Sequence, residues 1–375
     1  MKLKKEILDL LNQNGILSAG VFSFEKNHSL ILEKDIPAFQ KWLSENAHAK
    51  MTFLENNIEA RKDPSLILPN VKNALIFLFP YAAGHRVRNK KKENAHNNIQ
   101  LNHNSESILA KKLISKYVYG KDYHKVLKKQ LNLIATKLQK QIGNPFQFRA
   151  VVDSIPFFDR AYAREAALGF IGKNTMLIRP GMGSFFFIAT LLTDASIQDI
   201  CDLNLENKNA ILNLDCGDCT KCLDACPTQA FKKPYFLDAN RCLSYLSIEH
   251  RDIVDNEFIP HFANTIYGCD ICQEVCPYNL VTSDFKILKE FSNYHNPFQI
   301  ITAKDMALMD TDQYEKWFGG TAATRAKYQG LVRNALYHLH SVSDSSLPAI
   351  LDKLCASEYE LILKTVMQLR VLQKA

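Results

Sequence analysis

Residues 216–227 read Cys216-Gly-Asp-Cys219-Thr-Lys-Cys222-Leu-Asp-Ala-Cys226-Pro227, which is the spacing C-x2-C-x2-C-x3-C-P. Three thiolates at steps of three wrap one iron–sulfur cube, because a tight loop aims successive sulfurs at successive irons. The fourth sulfur points onward to a second cube. Downstream, Cys269-Asp-Ile-Cys272-Gln-Glu-Val-Cys276-Pro277 repeats the last two-thirds of the pattern without its leading ligand, and Cys242 is the free thiol between the two motifs. The count closes when the ligands cross over. One 4Fe–4S cluster takes Cys216, Cys219, Cys222 and Cys276, and the other takes Cys226, Cys242, Cys269 and Cys272. Zinc usually takes two separated C-x2-C pairs. Four cysteines within eleven residues followed by proline do not suit it.

The chain has 375 residues, of which 47% are hydrophobic and 23% charged, an ordinary globular mixture. Its longest apolar runs, such as Ala74–Phe79 and Phe185–Ala189, fall far short of the ~20 residues that span a bilayer. The opening MKLKKEILDLLNQNG places acids and amides where a signal peptide would be apolar. It reads as an amphipathic helix, and the protein as cytoplasmic with no membrane partner. Eight of the ten cysteines lie between Cys216 and Cys276, a density that points to metal in a reducing compartment. Cys201 and Cys355 have no partner motif and read as small buried hydrophobes. A net charge of +7 permits a nucleic-acid partner without demanding one.

Upstream of the cysteines, Ile36–Ala47 reads as a helix and Ala74–Phe79 as a buried strand ending at Pro80. Residues 85–107 are polar and basic and read as an exposed loop. Asp122 looks like an N-cap, because Leu127, Leu131, Ile134, Leu138 and Ile142 follow on one helix face and Gly143-Asn-Pro145 stops it. A strand at Phe146–Val152 delivers Asp153. Pro156 opens a helix that Gly169 closes, and a hairpin of Thr175–Arg179 and Ser184–Thr193 follows. The expected fold is α+β with an α/β-type core over residues 1–201, a two-cluster module over 202–285 and a helical tail over 286–375. In the tail, Leu331, Ala335 and Leu339 form one stripe, and Leu347, Ile350, Leu351 and Leu354 another.

A pair of clusters is a one-electron wire, and its destination belongs in the first domain. Asp153 sits where a strand ends, which is where open α/β sheets present functional groups. Among Val152, Ile155, Phe157 and Phe158 its carboxyl is a candidate for an apolar pocket that raises its pKa and lets it donate a proton. The alternative is a turn or helix cap before Pro156. Gly169-Phe-Ile-Gly172-Lys173-Asn174-Thr175 is not a phosphate loop, since only two residues separate its glycines and Asn follows Lys. No dinucleotide fingerprint is present. In the tail, Arg325, Lys327 and Arg333 suit either a phosphate-binding face or a solvated helix surface.

Taken together, VVDSIPFFDRAYAREAALGFIGKNT, NRCLSYLSIEHR and YGCDICQEVCPYN, with RKDPSLILP and GKDYHKVL, resemble the epoxyqueuosine reductase family across about residues 5–340. Departures are Ile155, where a small residue is usual, Asp159 in place of a common Glu, and the stretch 320–324. The resemblance implies a fold similar to the corrinoid reductive dehalogenases: a cobalamin-binding core, an inserted ferredoxin-like module and a HEAT-like tail. It implies reduction of epoxyqueuosine to queuosine at the wobble position of tRNA, with Asp153 as proton donor. It makes Arg61, Asp153, Leu177, Ile188, Ser244, Cys269 and Asp270 candidate cobalamin contacts. Arg160 is placed at the tRNA substrate, as the tail residues Arg325, Lys327 and Arg333 would be. An external low-potential electron donor and a monomer complete the expectation. The rivals are a corrinoid reductive dehalogenase and a ferredoxin-type electron carrier without a substrate of its own. The basic tail and the lack of an export signal weigh against the first. The second leaves the Asp153 segment without a role.

Overall fold

The run read as a buried strand is the strand Asn73–Pro80, and all eight of its residues are buried. Its side chains alternate between two cores. Ala74, Ile76 and Leu78 pack with Phe22, Val151, Phe157, Tyr162 and Leu192 on one side. Leu75, Phe77 and Phe79 pack with Ile7, Leu11, Leu127, Leu131, Ile134 and Leu138 on the other. A strand covered on both faces has no polar side to show, hence the unbroken apolar text. The structure, a computed structural model, describes all residues except 1, 6, 8, 10, 12–17, 83–112, 144, 203–213, 281–285, 293–296 and 375. The basic loop expected at 85–107 lies outside the described residues.

Asn73–Pro80 pairs with Ala19–Ser23 on one side and Phe186–Thr193 on the other. Phe148–Val151 joins beyond the latter, and every pairing is antiparallel. The sheet is therefore α+β in character, and the rule for the carboxyl ends of parallel strands does not apply to Asp153. One layer over the sheet is the helix Tyr123–Ile142. Asp122 caps it by accepting the His124 N–H at 3.0 Å, and Gly143 ends it at φ +77°. The opposite layer includes the helix Asp159–Glu165, which starts later than Pro156 because residues 153–158 are turn-like. The expected hairpin is corrected. Leu177–Ile178 pairs with Phe170–Ile171, while Phe186–Thr193 belongs to the main sheet, and only an Arg179–Gly183 bridge joins the two segments. Helical structure also begins before Ile36, at Phe24, and runs to Ser44.

A third core is shared by Ala239–Tyr267 and the tail helices Lys327–Ser341, Leu347–Leu354 and Glu360–Leu372. Both expected tail stripes face it: Leu331, Ala335, Leu339, Leu347, Ile350 and Leu351 are buried, and Leu354 packs at its edge. Arg333 corrects the expectation of a phosphate-facing residue. It is fully buried and uses its five donors internally, on the carbonyls of Leu246, His250 and Asp252 and twice on Asn334 Oδ1. Asn334 in turn donates to the carbonyls of Ser247 and Ile266. The pair staples the tail to the segment after Cys242. Cys201 is buried as expected, but Cys355 is exposed.

Arg333→Met removes the donors of three backbone carbonyls in a closed interior. It is expected to lower the unfolding free energy by at least about 3 kcal/mol. Denaturant unfolding checks this, and a change within error would remove the staple from the account.

Candidate functional site

Two short segments of the sheet domain hold the cysteine motifs. At Gly172-Lys173-Asn174 the Lys173 N–H donates to Cys216 Sγ at 3.4 Å, Lys173 Nζ to the Gly217 carbonyl at 2.6 Å, and Asn174 Nδ2 to the Cys272 carbonyl at 3.1 Å. The segment that superficially resembled a phosphate loop is thus a clasp on both motifs. The turn Pro180–Gly183 makes another contact. Asn279, just past Cys276-Pro277, accepts the Ser184 N–H at 2.7 Å and donates to Ser184 Oγ at 3.0 Å. Gly183 sits at φ +80°, and a Cβ there would lie 1.9 Å from Asn279 Oδ1, so only glycine permits this approach.

Cys216, Cys219, Cys222 and Cys276 line one void of about 40 Å3, together with Asn174, Ile178 and Tyr278. Burial pushes the Cys222 thiol up to about 11, with Cys216 and Cys276 adding to the shift. A second set forms around Cys242, Cys269 and Cys272, buried in the same way. Cys226 bears on Cys242 and Cys269, and Cys242 and Cys269 both bear on Cys272. Burial drives Cys269 to about 12. Thiols that resist ionisation in both groups need a cationic centre to become thiolates, which is what a metal supplies. Backbone N–H groups already aim at sulfur: Ala230 at Cys226, and Ser244 and Tyr245 at Cys242. Among the described residues no group of three His, Cys, Asp or Glu side chains is placed to hold a single metal ion.

Asp153 has φ +52° and a side chain that is 69% exposed. The expectation of an apolar pocket is corrected: the turn throws the side chain outward. Asp153 caps no helix, since the next one begins after Phe158, but it does occupy the turn before Pro156. It is held instead by Tyr123, whose hydroxyl donates to Asp153 Oδ2 at 2.5 Å. The Tyr123 ring is stacked between His124 (4.0 Å) and Phe187 (4.3 Å). Burial, followed by the Asp153 charge, holds the Tyr123 hydroxyl far above its ordinary pKa, so it stays a donor. Phe187 continues to Tyr81 at 4.6 Å, and Tyr81 feels the charges of Asp270 and Cys272. An aromatic wall therefore leads from the second thiol group to Asp153. Sequence reasoning quoted GKDYHKVL without assigning Tyr123 a role. An aromatic just inside an N-cap gives no signal of which carboxylate it will meet.

Several of the remaining candidates lie on the opposite face of the sheet, since Leu177, Ile188 and Phe158 belong to the other core from Tyr81, Phe187 and Tyr123. Burial, with the Asp153 charge next, raises Asp159 to about 8. Arg61 is buried over the rings of Phe39 (5.4 Å) and Phe158 (5.7 Å). Its Nε has no hydrogen-bond partner among the described residues, and burial lowers its pKa against the pull of Asp159. Leu177 is buried in one apolar cluster with Ile188 packed against it. Ser244 is half-buried beside Cys242. Asp270 accepts the Ser115 hydroxyl (2.5 Å) and the Lys116 N–H (2.8 Å), and burial raises its pKa. A buried guanidinium lacking an acceptor, an apolar wall and a carboxyl at its rim fit a large group with amide side arms. Arg160 is exposed and donates to the Thr175 carbonyl at 2.7 Å. Arg325 grips Glu249 through two hydrogen bonds (2.6 and 2.9 Å) above Phe53, and Lys327 is exposed.

Comparison with known proteins follows the same division. Residues 61–154 match the family model described as Epoxyqueuosine reductase QueG, and residues 215–279 match a 4Fe-4S double cluster binding domain. The epoxyqueuosine reductase of Leadbetterella byssophila is 36% identical over 307 residues, 82% of this chain and 90% of that one. That of Cellulophaga algicola is 34% identical over 340 residues, 89% of this chain and 98% of that one. A crystal structure of epoxyqueuosine reductase with an epoxyqueuosine-modified tRNA-Tyr stem loop superposes with a TM-score of 0.75 at 26% identity. The match covers 97% of this chain and 88% of that one.

Replacing Cys242 by Ala is expected to cost one cluster. Iron and acid-labile sulfide on fully reconstituted protein should fall from about eight atoms each to about four. Retention of both centres would contradict the crossed grouping.

Proposed function

The chain belongs to the epoxyqueuosine reductase family, and from that premise we propose that it reduces epoxyqueuosine to queuosine at the wobble position of tRNA. It does so with two 4Fe–4S clusters, a cobalamin and Asp153 as proton donor. The observation that carries this reading is the aromatic wall of Tyr81, Phe187 and Tyr123, with buried thiols at one end and Asp153 at the other. Cys216, Cys219, Cys222 and Cys276 hold one cluster, and Cys226, Cys242, Cys269 and Cys272 hold the other. Arg61, Leu177, Ile188, Ser244, Cys269, Asp270 and Asp153 hold the cobalamin. The proposed division is a catalytic domain at 1–201, a ferredoxin-like module at 202–285 and a HEAT-like tail at 286–375. The protein acts as a cytoplasmic monomer fed by an external low-potential donor. No described helix is long and apolar enough to cross a membrane.

Turning an epoxide into an alkene consumes two electrons and two protons and releases water. A bound cobalamin supplies low-valent cobalt, which handles the electron chemistry that no side chain can. The chain's own residues handle charge and protons. As the carbon–oxygen bond opens, negative charge grows on oxygen, and a proton from Asp153 cancels it. Tyr123, bonded to Oδ2, fixes the orientation of the carboxyl. Arg160, Arg325 and Lys327 flank the opening with positive charge, and the excess of +7 over the chain favours a phosphate backbone.

Two measurements test this. Nucleoside mass spectrometry on tRNA from a deletion strain should show epoxyqueuosine accumulating and queuosine lost; unchanged queuosine would remove the assignment. Asp153→Asn should keep tRNA affinity and both clusters while turnover falls at least about 100-fold. Near-normal turnover would take the proton from elsewhere.

A further inference from the structure

One carboxyl delivers one proton, yet each epoxide consumes two. Asp153 must therefore be recharged within every turnover. A cavity of about 410 Å3 adjoins the Asp153 turn. It is lined by Asp122, His124, Lys125, Lys128, Arg149 and Ser154, among others. His124 lines this cavity and also faces Asp153. Its Nδ1 is 3.0 Å from Asp122 Oδ1, and its Nε2 is 3.8 Å from Asp153 Oδ2. The second distance is one small side-chain rotation, or one water, from a hydrogen bond. Stacking on Tyr123 at 4.0 Å fixes the plane of the ring.

Resting on the reading of Asp153 as proton donor, we propose that His124, poised by Asp122, is the relay that returns protons to Asp153 from water in this cavity. Asp153 gives its proton to the epoxide oxygen as the ring opens. The imidazolium Nε2–H then passes to the Asp153 carboxylate, which gives this second proton to the leaving hydroxyl, released as water. Two solvent protons then enter through His124, the first passed on to Asp153 and the second kept on the imidazole, which resets both groups and matches the two electrons supplied through the clusters. Asp122 remains the counter-ion throughout, because its bonds to His124 hold its carboxyl below the usual range. Lys125, Lys128 and Arg149 face the cavity, and Asp159, Arg160 and Arg325 bear on Asp153. His124 both lines the cavity and stands 3.8 Å from an Asp153 oxygen.

The test uses reconstituted holoenzyme and epoxyqueuosine-containing tRNA. His124→Ala should lower kcat by roughly 10- to 100-fold, leave KM and the tRNA Kd from fluorescence anisotropy unchanged, and regain activity with added imidazole, which the cavity beside it has room to admit. Asp122→Asn keeps a good N-cap and should lower kcat less, again at constant KM. Wild-type kcat in both variants, with Asp153→Asn inactive, would overturn the relay alone. A loss in His124→Ala that imidazole does not restore would also overturn it. An active Asp153→Asn would instead overturn the reading beneath it.

Discussion

Thiols packed side by side in a protein interior are poor acids, and ionising several of them together is prohibitive without a compensating cation. That constraint governs this molecule. Cys222 and Cys269 lie well above the ordinary thiol range because burial and neighbouring sulfurs oppose their charge. The fold nevertheless invests many contacts in keeping these side chains together. The Lys173–Asn174 clasp reaches both motifs, and Asn279 docks the second motif on the Gly183 turn. Arg333 and Asn334 tie the tail to the segment between them. Such a pocket is stable only when metal replaces protons, so binding of the clusters and assembly of the three cores are coupled.

The same clasp that seats the cysteines also positions the chemistry. Phe186–Thr193 pairs along the full length of the central strand, and Phe187 lies between Tyr81 and Tyr123. A shift of this strand would therefore move the thiol side and the carboxyl side of the wall together. Asp153 depends on that wall more than on its own surroundings. Exposed and in a left-handed turn, it takes its orientation from the Tyr123 hydroxyl. Epoxide reduction asks for an acid that can be emptied and refilled, and an exposed carboxyl with a fixed donor meets both needs better than a sealed one.

Much of this was legible in the residues. Cysteine spacing announces a two-cluster module, because ligand geometry dictates sequence separation, and residues 215–279 match such a domain. Period and capping gave the Tyr123–Ile142 helix, its Asp122 start and its Gly143 stop. Reading failed where tertiary contacts decide. Leu177–Ile178 and Phe186–Thr193 look like two arms of one hairpin, but the second has a longer partner in Asn73–Pro80. Arg333 looks like a surface cation, and nothing local reveals the three carbonyls waiting for it. Asp153 among apolar neighbours suggests burial, until a positive φ turns it out. Tyr123 and His124 were on the page as part of a motif, but their partner lies across the sheet layer.

The central claim is that two cube-type clusters, each built from both cysteine motifs, sit side by side in one module. Electron paramagnetic resonance of the fully reduced protein addresses it directly. Two paramagnetic 4Fe–4S centres per chain, close enough that each broadens the other's signal, are expected. A spectrum that integrates to a single centre, or to two that do not sense each other, would contradict the account.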